Sequence, residues 1–134
     1  MKILVDTHIA LWAIADTEKL SAEVIKILED TKNEIYYSIA SVWEVAIKHK
    51  LKPEQMPISE EEFTELCKVT GFQSLPITHE QIFMVKTLSR PADAPKHNDP
   101  FDRLLISQAK ANNMKFMTHD SLIPYYNEKC VMSV

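Results

Sequence analysis

The chain of 134 residues contains a single glycine, Gly71. P-loops and dinucleotide-binding loops need several glycines, because the backbone must approach the phosphates closely. The sequence therefore excludes those two kinds of nucleotide site. Cysteine is also scarce. The two cysteines, Cys67 and Cys130, form no C-x-x-C pair and no zinc-binding spacing. We expect two reduced thiols without a chemical role.

Long hydrophobic runs and an excess of basic charge are also lacking. The apolar run at residues 9–15 is too short to cross a membrane, and only Lys2 resembles the basic start of a signal peptide. We therefore expect a cytoplasmic protein that makes no membrane contact. The net charge of -4 argues against binding of nucleic acid through a uniformly basic surface. It does not exclude a nuclease, because metal-binding carboxylates make the total acidic.

The chain alternates between short apolar runs and helical patterns. Hydrophobic residues make up 46% and charged residues 25%, which is usual for a globular protein, and the length suits one domain over residues 1–134. The patterns predict strands at 3–5, 35–37, 72–75 and 115–117, and helices at 21–29, 41–50, 59–70, 78–88 and 101–111. Because helices separate the strands, we predict an α/β fold with a parallel sheet covered on both faces. The segment LSRPADAPKHNDPFDR contains three prolines and is predicted to be a loop that leads into the last helix.

Acidic residues recur where strands end or helices begin. Asp6 follows the first strand, Glu44 lies near the start of the helix after the second, and Asp120 follows the fourth. The carboxyl ends of parallel strands share one edge of a sheet, so we expect these three side chains to converge. Asp99 and Asp102 begin a helix that follows no strand, so their convergence on the same edge is a further assumption.

Converging carboxylates repel one another unless a cation neutralises them. Oxygen ligands without a set of Cys and His ligands suit Mg²⁺ or Mn²⁺ rather than Zn²⁺, and such ions support in-line attack on phosphodiesters. The five histidines also form no H-x-H or H-E-x-x-H pair, which gives little support to a zinc hydrolase. The pattern therefore suggests a metal-dependent nuclease.

Each acid also has a purely structural explanation. Asp6, Asp99 and Asp120 could cap helices, the helix dipole favours Asp102 in a first turn, and Glu44 fits a capping box three residues after a serine. If all are caps, the protein is a noncatalytic interaction domain. An aspartyl phosphotransfer domain would also place an acid after the first strand, but VDTHI lacks the second acid of a D-x-D phosphatase.

Three further residues are candidates for substrate contacts. The Thr7 hydroxyl could position a water or a phosphate, although an ordinary place in the first helical turn explains it equally well. Arg103 stands beside Asp102 and offers a cation to a phosphate. His119 precedes Asp120 and could contact substrate phosphate, with a hydrogen-bonded structural role as the alternative.

Four segments together resemble the PIN-domain family, and within it the VapC-type toxin ribonucleases of toxin-antitoxin pairs. They are ILVDTHIALW, SIASVWEVAIKHK, HNDPFDRLLISQA and FMTHD, and they extend over nearly the whole chain. The resemblance implies a three-layer α/β/α fold with a short, mostly parallel sheet.

The resemblance also implies a set of site residues and a set of partners. The catalytic acids would be Asp6, Glu44, Asp102 and Asp120, and the metal ligands would be Asp6, Asp102 and Asp120, with Asp99 as an uncertain further ligand one helical turn before Asp102. The implied activity is endonucleolytic cleavage of RNA with Mg²⁺ or Mn²⁺. The implied partners are a second copy of the chain and a cognate antitoxin that covers the site. His119 stands where many relatives have a small residue.

Overall fold

The computed structural model describes residues 1–134. Its centre is one sheet of five parallel strands. The strands are β1 (Lys2–Val5), β2 (Glu34–Ser38), β3 (Gln73–Leu75), β4 (Lys115–Thr118) and β5 (Val131–Ser133). Their order across the sheet is β3-β2-β1-β4-β5, so β1 lies in the middle with Ile3 opposite Ile35 of β2 and Lys115 of β4.

Six α-helices connect the strands. They are α1 (Thr7–Ala15), α2 (Ala22–Glu29), α3 (Ile39–Leu51), α4 (Glu60–Thr70), α5 (His79–Phe83) and α6 (Pro100–Ala111). None of them combines the length and the apolar character that a membrane-spanning helix requires. Residues 88–99, the first part of the proline-rich segment, form neither helix nor strand, as the sequence predicts, and the last four residues of the segment begin α6.

The alternation of side chains along β1 builds a core on each face of the sheet. Ile3 and Val5 are fully buried in one cluster with residues of α1, α2 and α4. Leu4 points to the other face and belongs to a second cluster with Leu105 and Ile106 of α6. The predicted α/β/α fold is thus confirmed, and the sheet is entirely rather than mostly parallel.

Three elements differ from the sequence prediction. Strand β5 was not predicted, because its three residues are only partly buried at the edge of the sheet. The predicted helix over 78–88 is α5, which ends at Phe83 and continues as a 3₁₀ helix at Met84–Thr87. Helix α3 begins at Ile39 rather than at residue 41, because Ser38 is its N-cap and accepts a hydrogen bond from the Ala40 N–H.

Helix α4 ends at the one glycine of the chain. Gly71 has a φ of 93°, in the left-handed region, and its N–H donates to the Lys68 carbonyl oxygen at 3.0 Å. This conformation favours glycine because a side chain would crowd the backbone. The sequence prediction that α4 ends here is confirmed.

The strand order creates a crevice between β1 and β4. From β1 the chain first builds β2 and β3 on one side, and it returns to build β4 and β5 on the other. In an open parallel sheet, ligands bind at the carboxyl ends of the strands where the order reverses. Asp6 follows β1 and Asp120 follows β4, so these two acids flank the crevice.

Candidate metal centre

Asp6 directs its carboxylate across the crevice rather than into its own helix. It occupies the N-cap position of α1 but makes no capping hydrogen bond, and its Oδ2 accepts a hydrogen bond of 2.7 Å from Thr118 Oγ1. Burial raises the pKa of Asp6 above its ordinary value of 3.8, although the Thr118 hydrogen bond acts in the opposite direction. A capping role therefore does not explain this carboxylate.

Thr118 joins the acids on the two sides of the crevice. Its fully buried hydroxyl donates to Asp6 and accepts the backbone N–H of Asp120 at 3.0 Å. Asp120 Oδ1 in turn accepts the backbone N–H of Leu122 at 2.8 Å. One oxygen of Asp120 thus stabilises the turn after β4, and the rest of the carboxylate is available to a ligand.

Glu44 is held at the centre by residues of two helices. Its Oε1 accepts from Thr7 Oγ1 at 2.7 Å, and its Oε2 accepts from Lys48 Nζ at 2.7 Å. The capping box proposed for Ser41 and Glu44 is wrong, because Ser38 is the N-cap and Ser41 lies inside α3. The Ser41 hydroxyl instead lies 2.7 Å from Thr7 Oγ1. The buried Thr7 hydroxyl therefore helps to hold the Glu44 carboxylate in place.

The two acids at the start of α6 have different surroundings. Asp99 is the N-cap, and its Oδ1 accepts the backbone N–H groups of Phe101 and Asp102 at 2.9 and 3.1 Å. Asp102 Oδ2 lies 3.0 Å from His97 Nε2. Burial, together with the negative charges of the other four acids, Asp6, Asp99, Glu44 and Asp120, raises the pKa of Asp102 to about 8.

The acids converge in the structure as expected, and two of them form a tighter cluster with a histidine. Ligand atoms of His97, Asp102 and Asp120 all lie within 4.8 Å of one another. Asp6 and Glu44 lie outside this tighter cluster but near enough to raise the pKa of Asp102. The assumption that the start of α6 reaches the same edge of the sheet is therefore correct.

Sequence reasoning missed His97 and Thr118. His97 stands five residues before Asp102 in HNDPFDR, and Thr118 ends β4 two residues before Asp120. These positions are the only signals in the sequence, and neither reveals a contact with an acid. Both contacts depend on segments that are brought together only by the fold.

The remaining substrate candidates lie apart from these contacts. Arg103 forms no ion pair with any carboxylate, and its buried Nε has no hydrogen-bond partner. His119 is exposed, lies 2.8 Å from the Val134 carbonyl oxygen through Nδ1, and packs its ring edge against Trp12. A substrate contact by Arg103 or His119 stays a prediction.

The donor set of this centre fits a hard divalent cation. Four or five carboxylates meet at the crevice, and Lys48 is the one lysine or arginine that forms an ion pair with any of them. Mg²⁺ and Mn²⁺ prefer carboxylate oxygens, and Mn²⁺ also accepts an imidazole ligand. A cation would relieve the mutual repulsion that raises the pKa of Asp102.

Comparison with known proteins agrees with this architecture. A family model described as the PIN domain matches residues 3–128. The structure of VapBC2 from Rickettsia felis, bound to a DNA fragment from its promoter, is similar with a TM-score of 0.69 and 15% identity, over 100% of this chain and 99% of that chain. The structure of VapBC-1 from nontypeable Haemophilus influenzae is similar with a TM-score of 0.57 and 16% identity, over 90% of this chain and 87% of that chain.

At these identities the two structures establish a shared fold alone. No curated protein sequence matches the chain. The family model, in contrast, spans nearly every element from β1 to the turn before β5. The chain therefore belongs to the PIN domain family.

Proposed function

We propose that this protein is a metal-dependent endoribonuclease and the toxin of a toxin-antitoxin pair. The observation that carries the proposal is the buried carboxylate of Asp102, whose pKa is raised to about 8 at a crevice where four other acids act on it. Such a group is costly to the fold unless it binds a cation. Membership of the PIN domain family supports a nuclease.

In this proposal Asp6, Asp102 and Asp120 hold Mg²⁺ or Mn²⁺, and Glu44 assists them. The fit is supported by the carboxylate oxygens and by their mutual repulsion. Asp99 is a weaker candidate ligand, because one of its oxygens caps α6. When bound, the cation supplies a Lewis acid that activates water for in-line attack on a phosphodiester and offsets the charge of the leaving oxygen.

The residues around these acids keep them in place before substrate arrives. Thr118 holds Asp6, and Thr7 and Lys48 hold Glu44, so few rotamers remain to be ordered on binding. Arg103 and His119 are proposed to contact RNA phosphates beside this centre. The whole of residues 1–134 would form one nuclease domain.

We further propose two protein partners for the chain, an antitoxin and a second copy. Both similar structures are of VapBC proteins, which supports an antitoxin partner, and the family resemblance implies that the antitoxin covers the centre. The homodimer follows from the family resemblance, and the proposed place of action is the cytoplasm. Light scattering of the purified chain measures the dimer, and an open reading frame for a DNA-binding protein directly upstream would support the antitoxin.

The test of the activity is cleavage of a mixed cellular RNA pool by purified protein with Mn²⁺ or Mg²⁺ and with EDTA. The variants Asp6→Asn and Asp102→Asn should abolish cutting, because each removes a charged ligand. Asp93→Asn is the matched control, since Asp93 is an exposed acid of the proline-rich loop with no hydrogen-bond partner. Circular dichroism verifies that all variants are folded.

The other outcomes separate the alternatives. Cutting that survives EDTA and Asp6→Asn would contradict the proposed chemistry. Absence of both cutting and metal binding would favour a noncatalytic interaction domain in which the acids have only structural roles. A covalent phosphate on Asp6 after incubation with a small phosphodonor would indicate phosphotransfer.

A further inference from the structure

A buried histidine links the acid centre to a tyrosine. His97 is 9% exposed and Tyr126 is 4% exposed. His97 Nδ1 lies 2.8 Å from Tyr126 Oη, while Nε2 lies 3.0 Å from Asp102 Oδ2. Both ring nitrogens therefore have a polar partner, and neither residue belongs to the proposed set of carboxylate ligands.

The chemistry of the three groups determines which atom carries each proton. An ionised carboxylate can only accept, so an ionised Asp102 requires His97 Nε2 to donate. The Nδ1 atom of a neutral ring is then an acceptor, and the Tyr126 hydroxyl can donate a hydrogen bond to it. With Asp102 ionised, as a metal ligand would be, the Tyr126 hydroxyl thus complements the tautomer that points an N–H group at Asp102.

The loop that carries His97 is fastened to the same tyrosine. The Arg90 guanidinium lies 5.1 Å from the centre of the Tyr126 ring and also donates to the Pro95 carbonyl oxygen. The backbone N–H of Asn127 donates to the Ser89 carbonyl oxygen at 3.1 Å. These contacts tie a segment without helix or strand to the turn after β4, so the imidazole has a defined position.

We propose that His97, held by Tyr126, orients the carboxylate of Asp102 for binding of the divalent cation. The inference rests on the proposed function. The His97 hydrogen bond engages Oδ2 alone, and Oδ1 has no hydrogen-bond partner. Metal-binding carboxylates commonly have such a partner on one oxygen, and its loss weakens binding of the metal. His97 and Tyr126 are therefore positioning residues.

The test compares the Mn²⁺ affinity of three variants with that of the unaltered chain, from the signal of free Mn²⁺ in electron paramagnetic resonance. His97→Leu should weaken binding about 10- to 100-fold, the range seen when such partners of metal ligands are lost. His97→Gln should restore part of this loss, because its amide offers an N–H close to the position of Nε2. Tyr126→Phe keeps the ring and removes the hydroxyl, so it should weaken binding by less than His97→Leu does.

A second histidine and a second tyrosine provide matched controls for these variants. His79 stacks on Phe83 and contacts none of the acids, and Tyr125 has no hydrogen-bond partner for its hydroxyl. His79→Leu and Tyr125→Phe should leave the Mn²⁺ affinity unchanged. If His97→Leu does not fold, His97→Gln and Tyr126→Phe still test the inference.

Pulsed electron paramagnetic resonance of bound Mn²⁺ adds a measurement that does not depend on activity. A positioning role predicts no ¹⁴N coupling of the strength given by a directly bound imidazole. Such a coupling, lost in His97→Gln, would make His97 a ligand and overturn the inference. Unchanged affinity in all three variants, with loss in Asp102→Asn, would also overturn it and leave the proposed function standing. Failure of the unaltered chain to bind Mn²⁺ would refute both.

Discussion

The metal-free protein should become less stable as the pH rises, and Asp102→Asn should remove most of this dependence. The pKa of Asp102 is about 8 in the fold, against 3.8 for an ordinary aspartate, because the side chain is buried among other acids. Between these values the folded chain keeps a proton that the unfolded chain releases. Stability is therefore complete below the unfolded pKa and is lost as the pH rises towards the folded pKa.

The size of the effect follows from the difference between the two pKa values. One pH unit corresponds to about 1.4 kcal/mol, and about three units separate 3.8 from neutral pH, which sets an upper limit of about 4 kcal/mol at neutrality. The Asp102 side chain is 13% exposed, so solvent screens part of the repulsion. We expect a loss of about 2 kcal/mol in the free energy of unfolding.

Urea denaturation in EDTA, from about pH 5 to about pH 8, measures this loss. Asp102→Asn should be the more stable protein at the upper end of this pH range, and the pH dependence that remains is expected from Asp6, whose pKa is also raised. Asp93→Asn should keep the full dependence. If the free energy of unfolding falls equally with pH in Asp102→Asn and in the unaltered chain, the assignment of the effect to Asp102 is refuted.

Three other perturbations test further parts of the structure. Thr118→Val removes the hydroxyl shared across the crevice and should lower the free energy of unfolding, measured with urea, by about 1–3 kcal/mol. Thr70→Val loses an exposed hydrogen bond to the Leu66 carbonyl oxygen within α4 and should lower it by under about 0.5 kcal/mol. Equal losses would contradict the buried role. Mn²⁺ at about 100 times its Kd should raise the free energy of unfolding by about 2.7 kcal/mol in the unaltered chain and leave Asp102→Asn unaffected; equal increases would place binding elsewhere. Gly71→Ala should cost about 1 kcal/mol through its φ of 93°, since no atom beyond Gly71 and its two chain neighbours lies within 4 Å of an added Cβ. Gly71→Asn should cost less in the same denaturation assay. A larger loss in the asparagine variant would refute this explanation.

The sheet could be predicted because its central strands are continuously apolar. Ile3, Leu4 and Val5 are buried on both faces, which produces an unbroken hydrophobic run followed at once by Asp6. The position of the acids at strand ends then followed from the rule that parallel strands share one edge. Strand β5 gave no comparable signal, because Val131 and Met132 lie partly exposed at the edge.

The hydrogen bonds of the centre could not be predicted from the sequence. The Thr118–Asp6 contact joins residues 112 positions apart, and the His97–Tyr126 contact joins residues 29 positions apart. Local patterns even favoured a different role for Ser41, since the spacing of a capping box occurs here inside a helix. Spacing indicates which residues can share a helical turn, whereas these contacts depend on how β4 and the proline-rich loop pack against β1 and α6.

The link between Asp6 and Thr118 also has a consequence for synthesis of the chain on the ribosome. Asp6 emerges long before its partner, because β4 pairs with β1 only after more than a hundred further residues have been translated. Until then the crevice lacks Asp120 and the wall that β4 forms, although Asp102 has already been translated. Every shorter nascent chain is therefore without the complete proposed metal centre, which is assembled only once β4 has joined the sheet.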